Sequence, residues 1–122
     1  MEEQNEAGQV FEKLKAILQK FEPSLVVLTN KPAGYMLITS HLMKNKQPLY
    51  FGGVQVMKNY VSFHLLPVYV EPELLSGIST KLQARMQGKS CFNFKRVDTE
   101  LLDELAQLAQ KGFDHYKASQ YL

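Results

Sequence analysis

The first apolar pattern of the chain has the period of a helix. Val10, Leu14, Ile17, Leu18 and Phe21 fall on one stripe with Phe11 beside it, which predicts a helix from about Gly8 to Phe21. Glu22-Pro23 ends it, because the residue before a proline avoids helical backbone. The period then shortens to that of strands. Leu25 to Thr29 and Tyr35 to Thr39 are two such runs, separated by the turn residues Asn30-Lys31-Pro32-Ala33-Gly34. After a Lys- and Asn-rich loop from Met43 to Pro48, Leu49 to Met57 forms a third run. It carries Gly52-Gly53, which suggests a bulge or a tight bend. Lys58-Asn59 reads as a two-residue hairpin turn into the clearest strand, Tyr60 to Val68, with Pro67 near its end.

Helical spacing returns at Leu74, Leu75, Ile78, Leu82 and Met86, weakened by Gly77, with Ser79 placed to cap a short helix and Gly88 to stop it. Ser90 to Val97 alternates again as a strand. Asp98 or Thr99 then caps a last helix whose stripe, Leu101, Leu105, Leu108 and Gly112, runs on past the glycine towards Tyr116. Short loops between strands favour antiparallel pairing. The expected fold class is α+β: a two-layer sandwich with an antiparallel sheet of about five strands and the N- and C-terminal helices on one face.

At 122 residues and 45% apolar composition, one domain with a real core is expected over 1–122. There is no run of about 18 apolar residues of the kind a membrane helix needs. The polar, acidic start MEEQNEAGQ lacks the pattern of a secretory signal, and the only cysteine, Cys91, has no partner for an internal disulfide. A cytoplasmic protein without a membrane anchor is therefore the expectation.

Charge is unevenly placed. The segments 1–30 and 98–122 are acidic, at −2 and −3. Residues 31–97 hold nine basic side chains against Glu71 and Glu73, at +7. Acidic helices beside a basic sheet explain part of this, and a basic face that attracts an anion is the functional reading.

The strand period of two divides each strand into faces. Val61, Phe63 and Leu65, and Phe92 and Phe94, belong against the helices. That leaves Tyr60, Ser62, His64, Cys91, Asn93 and Lys95 as the candidate ligand-binding residues of the outer face, provided the two strands are neighbours. Cys91 reads first as packing. A nucleophilic thiolate needs a cation or a helix N-terminus beside it, which His64, Lys95 or Arg96 would have to supply. His64 with Cys91 gives too few ligands for a structural zinc site, and no C-x-x-C or H-x-x-x-H spacing completes one, so neither metal nor cofactor is expected. Phosphate-cradling glycine motifs and a nucleophile elbow are missing. KSCFNFKR lacks the glycines and spacing of an RNA-recognition strand, which sets nucleic acid aside. An anionic small molecule or a protein partner remains as the expected ligand, with an edge strand near Val68 as a route to a homodimer.

Tyr60-Val61-Ser62-Phe63-His64-Leu65-Leu66-Pro67, then Lys89-Ser90-Cys91-Phe92-Asn93-Phe94-Lys95 and the acidic last helix, resemble the YdhG-like family of small bacterial domains. The likeness extends back through Pro48-Leu49-Tyr50-Phe51 and Val56-Met57-Lys58-Asn59 and covers about Leu25 to Tyr116. The resemblance implies a frataxin-like α+β sandwich and, from some members, an intracellular iron chaperone. Iron prefers oxygen ligands. The first helix mixes Glu2, Glu3, Glu6 and Glu12 with Lys13, Lys15 and Lys20, so no iron ligand is carried onto this chain. Three functional expectations follow: a non-enzymatic binding module using the outer sheet face, an iron chaperone, and a small enzyme using Cys91 and His64.

Overall fold

The computed structural model describes residues 2–122, with side chains from Glu6 onward, so the acidic side chains of Glu2 and Glu3 lie outside the described set. Helix α1, Glu2–Gln19, is followed by a 3-10 turn at Glu22–Ser24. The strands β1 (Val26–Lys31), β2 (Gly34–Leu42), β3 (Pro48–Val56) and β4 (Val61–Leu65) form a meander. Short helical pieces come next: α2 (Pro67–Val70), a 3-10 turn (Pro72–Leu75) and α3 (Thr80–Gln83). The chain ends in β5 (Met86–Gln87), β6 (Cys91–Phe94) and α4 (Thr99–Ala118).

All pairings are antiparallel, in the order β1-β2-β3-β4-β6-β5. The sheet thus has six strands, because Met86 pairs with Phe92 instead of continuing a helix. Gly88, at φ 78°, supplies the left-handed residue that the turn from β5 to β6 needs. A second correction concerns the strand expected to run to Val68. It ends at Leu65, and Pro67 opens α2, where a missing N–H costs nothing. Val68 is buried there. The edge expected near it does not exist; the free edges belong to β1 and β5.

Helices α1 and α4 cover one face of the sheet. Val10, Leu14 and Leu18 of α1 and Leu105 and Tyr116 of α4 are fully buried with Leu37, Phe51, Phe63, Leu65 and Phe92 of the strands. Phe51 sits edge-on to Phe21, Phe113 and Tyr116, and the Tyr116 hydroxyl donates to the Tyr50 carbonyl at 2.9 Å. The register slips beside the paired glycines, leaving Phe51 as the extra residue between the Leu37–Gly52 and Ile38–Tyr50 pairs. Gly52 also has a packing role. A Cβ there would meet both the Leu18 side chain and the His64 carbonyl at 3.0 Å, so glycine lets α1 settle onto the centre of the sheet.

The expected caps are present. Ser79 Oγ accepts from Leu82 N at 3.1 Å, and Asp98 Oδ1 accepts from Leu101 N at 3.2 Å. The carboxylate of Glu104 on α4 accepts from both the backbone N–H and the hydroxyl of Ser79 at 2.6 Å, tying α3 to α4.

Candidate functional site

Strands β4 and β6 are neighbours, so the alternation places polar residues of both on the face away from the helices. His64 lies opposite Cys91, and Ser62 opposite Asn93. On the far side of β4, His64 faces Gly53 and Ser62 faces Gln55 of β3. Beyond β6, Gln87 of β5 faces Cys91, and it also accepts a hydrogen bond from Asn93 Nδ2 at 2.6 Å. Ser62, His64, Cys91 and Asn93 are all half-buried, whereas their neighbours Val61, Phe63, Leu65, Phe92 and Phe94 are buried.

The pairing puts His64 Nδ1 3.2 Å from Cys91 Sγ, and its other ring nitrogen, Nε2, 3.3 Å from Ser90 Oγ. Burial pushes the His64 pKa below its ordinary value, since the protein interior disfavours the imidazolium. The neutral ring has one donor and one acceptor nitrogen. In the tautomer that carries its proton on Nε2, Ser90 Oγ accepts from Nε2–H and Nδ1 is the acceptor for the Cys91 thiol; in the other, the Ser90 hydroxyl donates to Nε2. Cys91 is half-buried and its sulfur touches the imidazole ring.

The remaining candidates gather at one end of this face. Tyr60 stands just before β4 and Lys95 just after β6, beyond the paired segment. Both line two adjoining cavities. One, of about 400 Å³, lies at the end of the sheet beside α1 and is bounded also by Glu6, Lys58, Phe94 and Arg96; the other, of about 460 Å³, is bounded by Arg85 and Asn93. A third hollow of about 350 Å³ lies between Arg85, Lys95 and Arg96. Three other cations, Lys58, Arg85 and Arg96, therefore surround Lys95, at a corner where the acids are Glu6 and Asp98. The Asp98 carboxylate is engaged in capping α4. Asn93 Oδ1 is buried here without a hydrogen-bond partner. Among the described residues, no three His, Cys, Asp or Glu side chains gather where they could share a metal ion, and no helix is long and apolar enough to cross a membrane.

Five of the six expected site residues thus divide into two neighbouring groups. His64 and Cys91 form a contact pair, Tyr60, Asn93 and Lys95 line the basic corner, and Ser62 lies between the groups without belonging to either cavity. The sequence reading missed Ser90, Lys58 and Arg85, and named Arg96 only as a possible cation beside Cys91. Strict alternation would turn Ser90 away from Cys91 and Arg96 away from Lys95. The paired strand spans only Cys91–Phe94, so neither residue is bound by it. Arg85 arrives through the β5 turn, its carbonyl accepting from Asn93 N at 2.8 Å.

Comparison of the chain with family models, with curated proteins and with solved structures finds no match.

Proposed function

We propose that this protein is a non-enzymatic binding module that takes up an anionic small molecule at the corner formed by Tyr60, Asn93 and Lys95. The observation that carries this reading is the convergence of Lys58, Arg85, Lys95 and Arg96 on adjoining cavities of about 400 and 460 Å³. That size suits a small ligand, and clustered cations in a concave site focus an attractive field on an anion. Tyr60 offers a flat apolar surface beside the charges. The net +7 of residues 31–97 adds longer-range attraction. A carboxylate-rich segment of a protein partner would satisfy the same chemistry.

Two of the motifs that resemble the YdhG-like family include β4 and β6, the strands that frame this corner. Kinship with that family and a cytoplasmic setting are part of the proposal. An iron-chaperone role gains no support from the ligand chemistry described above.

Calorimetry with inorganic pyrophosphate tests the proposal. Replacing Lys95 and Arg96 together by serine is expected to weaken binding about tenfold, since two partly exposed charges contribute on the order of 1.4 kcal/mol in total. Raising the salt concentration should weaken native binding as well. Absence of binding to the native chain, or equal affinity in the double variant, would sink the anion reading.

A further inference from the structure

We infer that Cys91 is a thiol–disulfide exchange site, with His64 as its proton acceptor and Ser90 as the residue that orients the ring. This inference is independent of the anion site, because it rests on a different set of contacts.

Three observations carry it. The thiol sits 3.2 Å from Nδ1 of a histidine, within reach for proton transfer. The opposite ring nitrogen is 3.3 Å from Ser90 Oγ, and Ser90 is itself buried, its carbonyl accepting from Leu65 N at 2.9 Å. A nucleophile, a base and a group that orients the base are therefore in line. The side chains lie on the sheet face opposite α1 and α4, so Cys91 is half-exposed and approachable.

The chemistry balances without a further reagent. The substrate class is a small disulfide, R–S–S–R. The Cys91 proton passes to His64 Nδ1 while Sγ attacks one sulfur of the disulfide. A Sγ–S bond forms, the S–S bond breaks, and the departing thiolate collects the proton from the imidazolium. The products are Cys91 in a mixed disulfide and one free thiol, R–SH: Cys91 is oxidised and half of the small disulfide is reduced. The chain has no second cysteine to resolve the adduct. The mixed disulfide therefore persists until an external thiol reverses it, which makes this a site of reversible modification.

Few other groups can confuse a pH test. The partners of His64 and Cys91 across the sheet are Gly53 on β3 and Gln87 on β5, and the next side chains along the face are Ser62 and Asn93. None of these titrates. The nearest charges along the chain are Lys89 and Lys95.

The experiment is the rate of reaction with 2,2′-dithiodipyridine, a neutral disulfide that the basic corner does not attract. An unassisted thiol near its ordinary pKa of about 8.5 gains about eightfold in thiolate between pH 7 and pH 8. The native chain should change by less than about twofold over that interval, because neutral His64 accepts the proton at both pH values. In His64→Gln the full eightfold step should return, and Ser90→Ala should lower the pH 7 rate several-fold with the fold intact by circular dichroism. A native profile with the eightfold step would overturn the inference without recourse to any variant. So would a folded His64→Gln chain that keeps the native profile.

Discussion

Helix α4 crosses α2 closely enough that a single methyl group should reveal it. A Cβ at Gly112 would lie 2.8 Å from Pro67 Cβ and 3.0 Å from Pro67 Cγ. The proline ring is rigid and buried, so it cannot swing aside as a long side chain would. Overpacking of this kind typically costs about 1–3 kcal/mol. Alanine in a helix interior is better than glycine by about 1 kcal/mol. The two effects oppose each other, so Gly112→Ala alone should leave the chain between about unchanged and 2 kcal/mol less stable. The sign becomes decisive when the obstacle is removed. Pro67→Gly deletes the whole ring, and in that background Gly112→Ala should stabilise by roughly the helix term, about 1 kcal/mol. Urea unfolding of the four chains followed by circular dichroism gives the coupling, expected at about 1–3 kcal/mol. If Gly112→Ala changes stability equally in both backgrounds, the close approach of α4 to Pro67 is refuted.

Tyr116→Phe removes the donor to the Tyr50 carbonyl, a 2.9 Å bond between residues 66 apart in sequence, and should cost about 1 kcal/mol. For a chain of this size that is a fall of about 4 °C in the thermal midpoint, and an unchanged midpoint would contradict the bond. His64 makes stability depend on pH. Its folded pKa lies below the unfolded value of 6.5 because burial disfavours the charged ring, so between the two values the unfolded chain binds more protons. The contribution of neutral His64 is therefore full above pH 6.5 and is lost as the pH falls from there to the folded value. Urea midpoints measured from pH 7.5 down to pH 5 should drop more steeply for the native chain than for His64→Gln. Parallel curves would show that the ring is charged as readily folded as unfolded.

The alternation of Val61 to Leu65 and Cys91 to Phe94 was enough to separate core from open face, because an antiparallel pair obeys a period of two. The same rule is uninformative beyond the pairing. Tyr60, Ser90, Lys95 and Arg96 lie just outside it, and three of these line the basic cavities. The run from Leu74 to Met86 shows why local spacing is a weak guide for short segments. Its residues keep helical intervals, yet they are divided among a 3-10 turn, the loop at Ile78, α3 and β5. Tertiary pairing of Met86 with Phe92 outweighs the spacing. Arg85 reaches the corner only as a consequence of that pairing, so no sequence motif announces it. The His64–Cys91 contact followed from faces and adjacency. Its third member, Ser90, depended on where β6 begins.

The anion site is tested most directly by residue-resolved NMR of the amide groups during a titration with inorganic phosphate. The account predicts saturable shifts centred on Tyr60, Asn93, Lys95 and Arg96, the residues that surround the two cavities. Shifts that are absent, or that centre on the basic loop residues Lys44 and Lys46 instead, would contradict it.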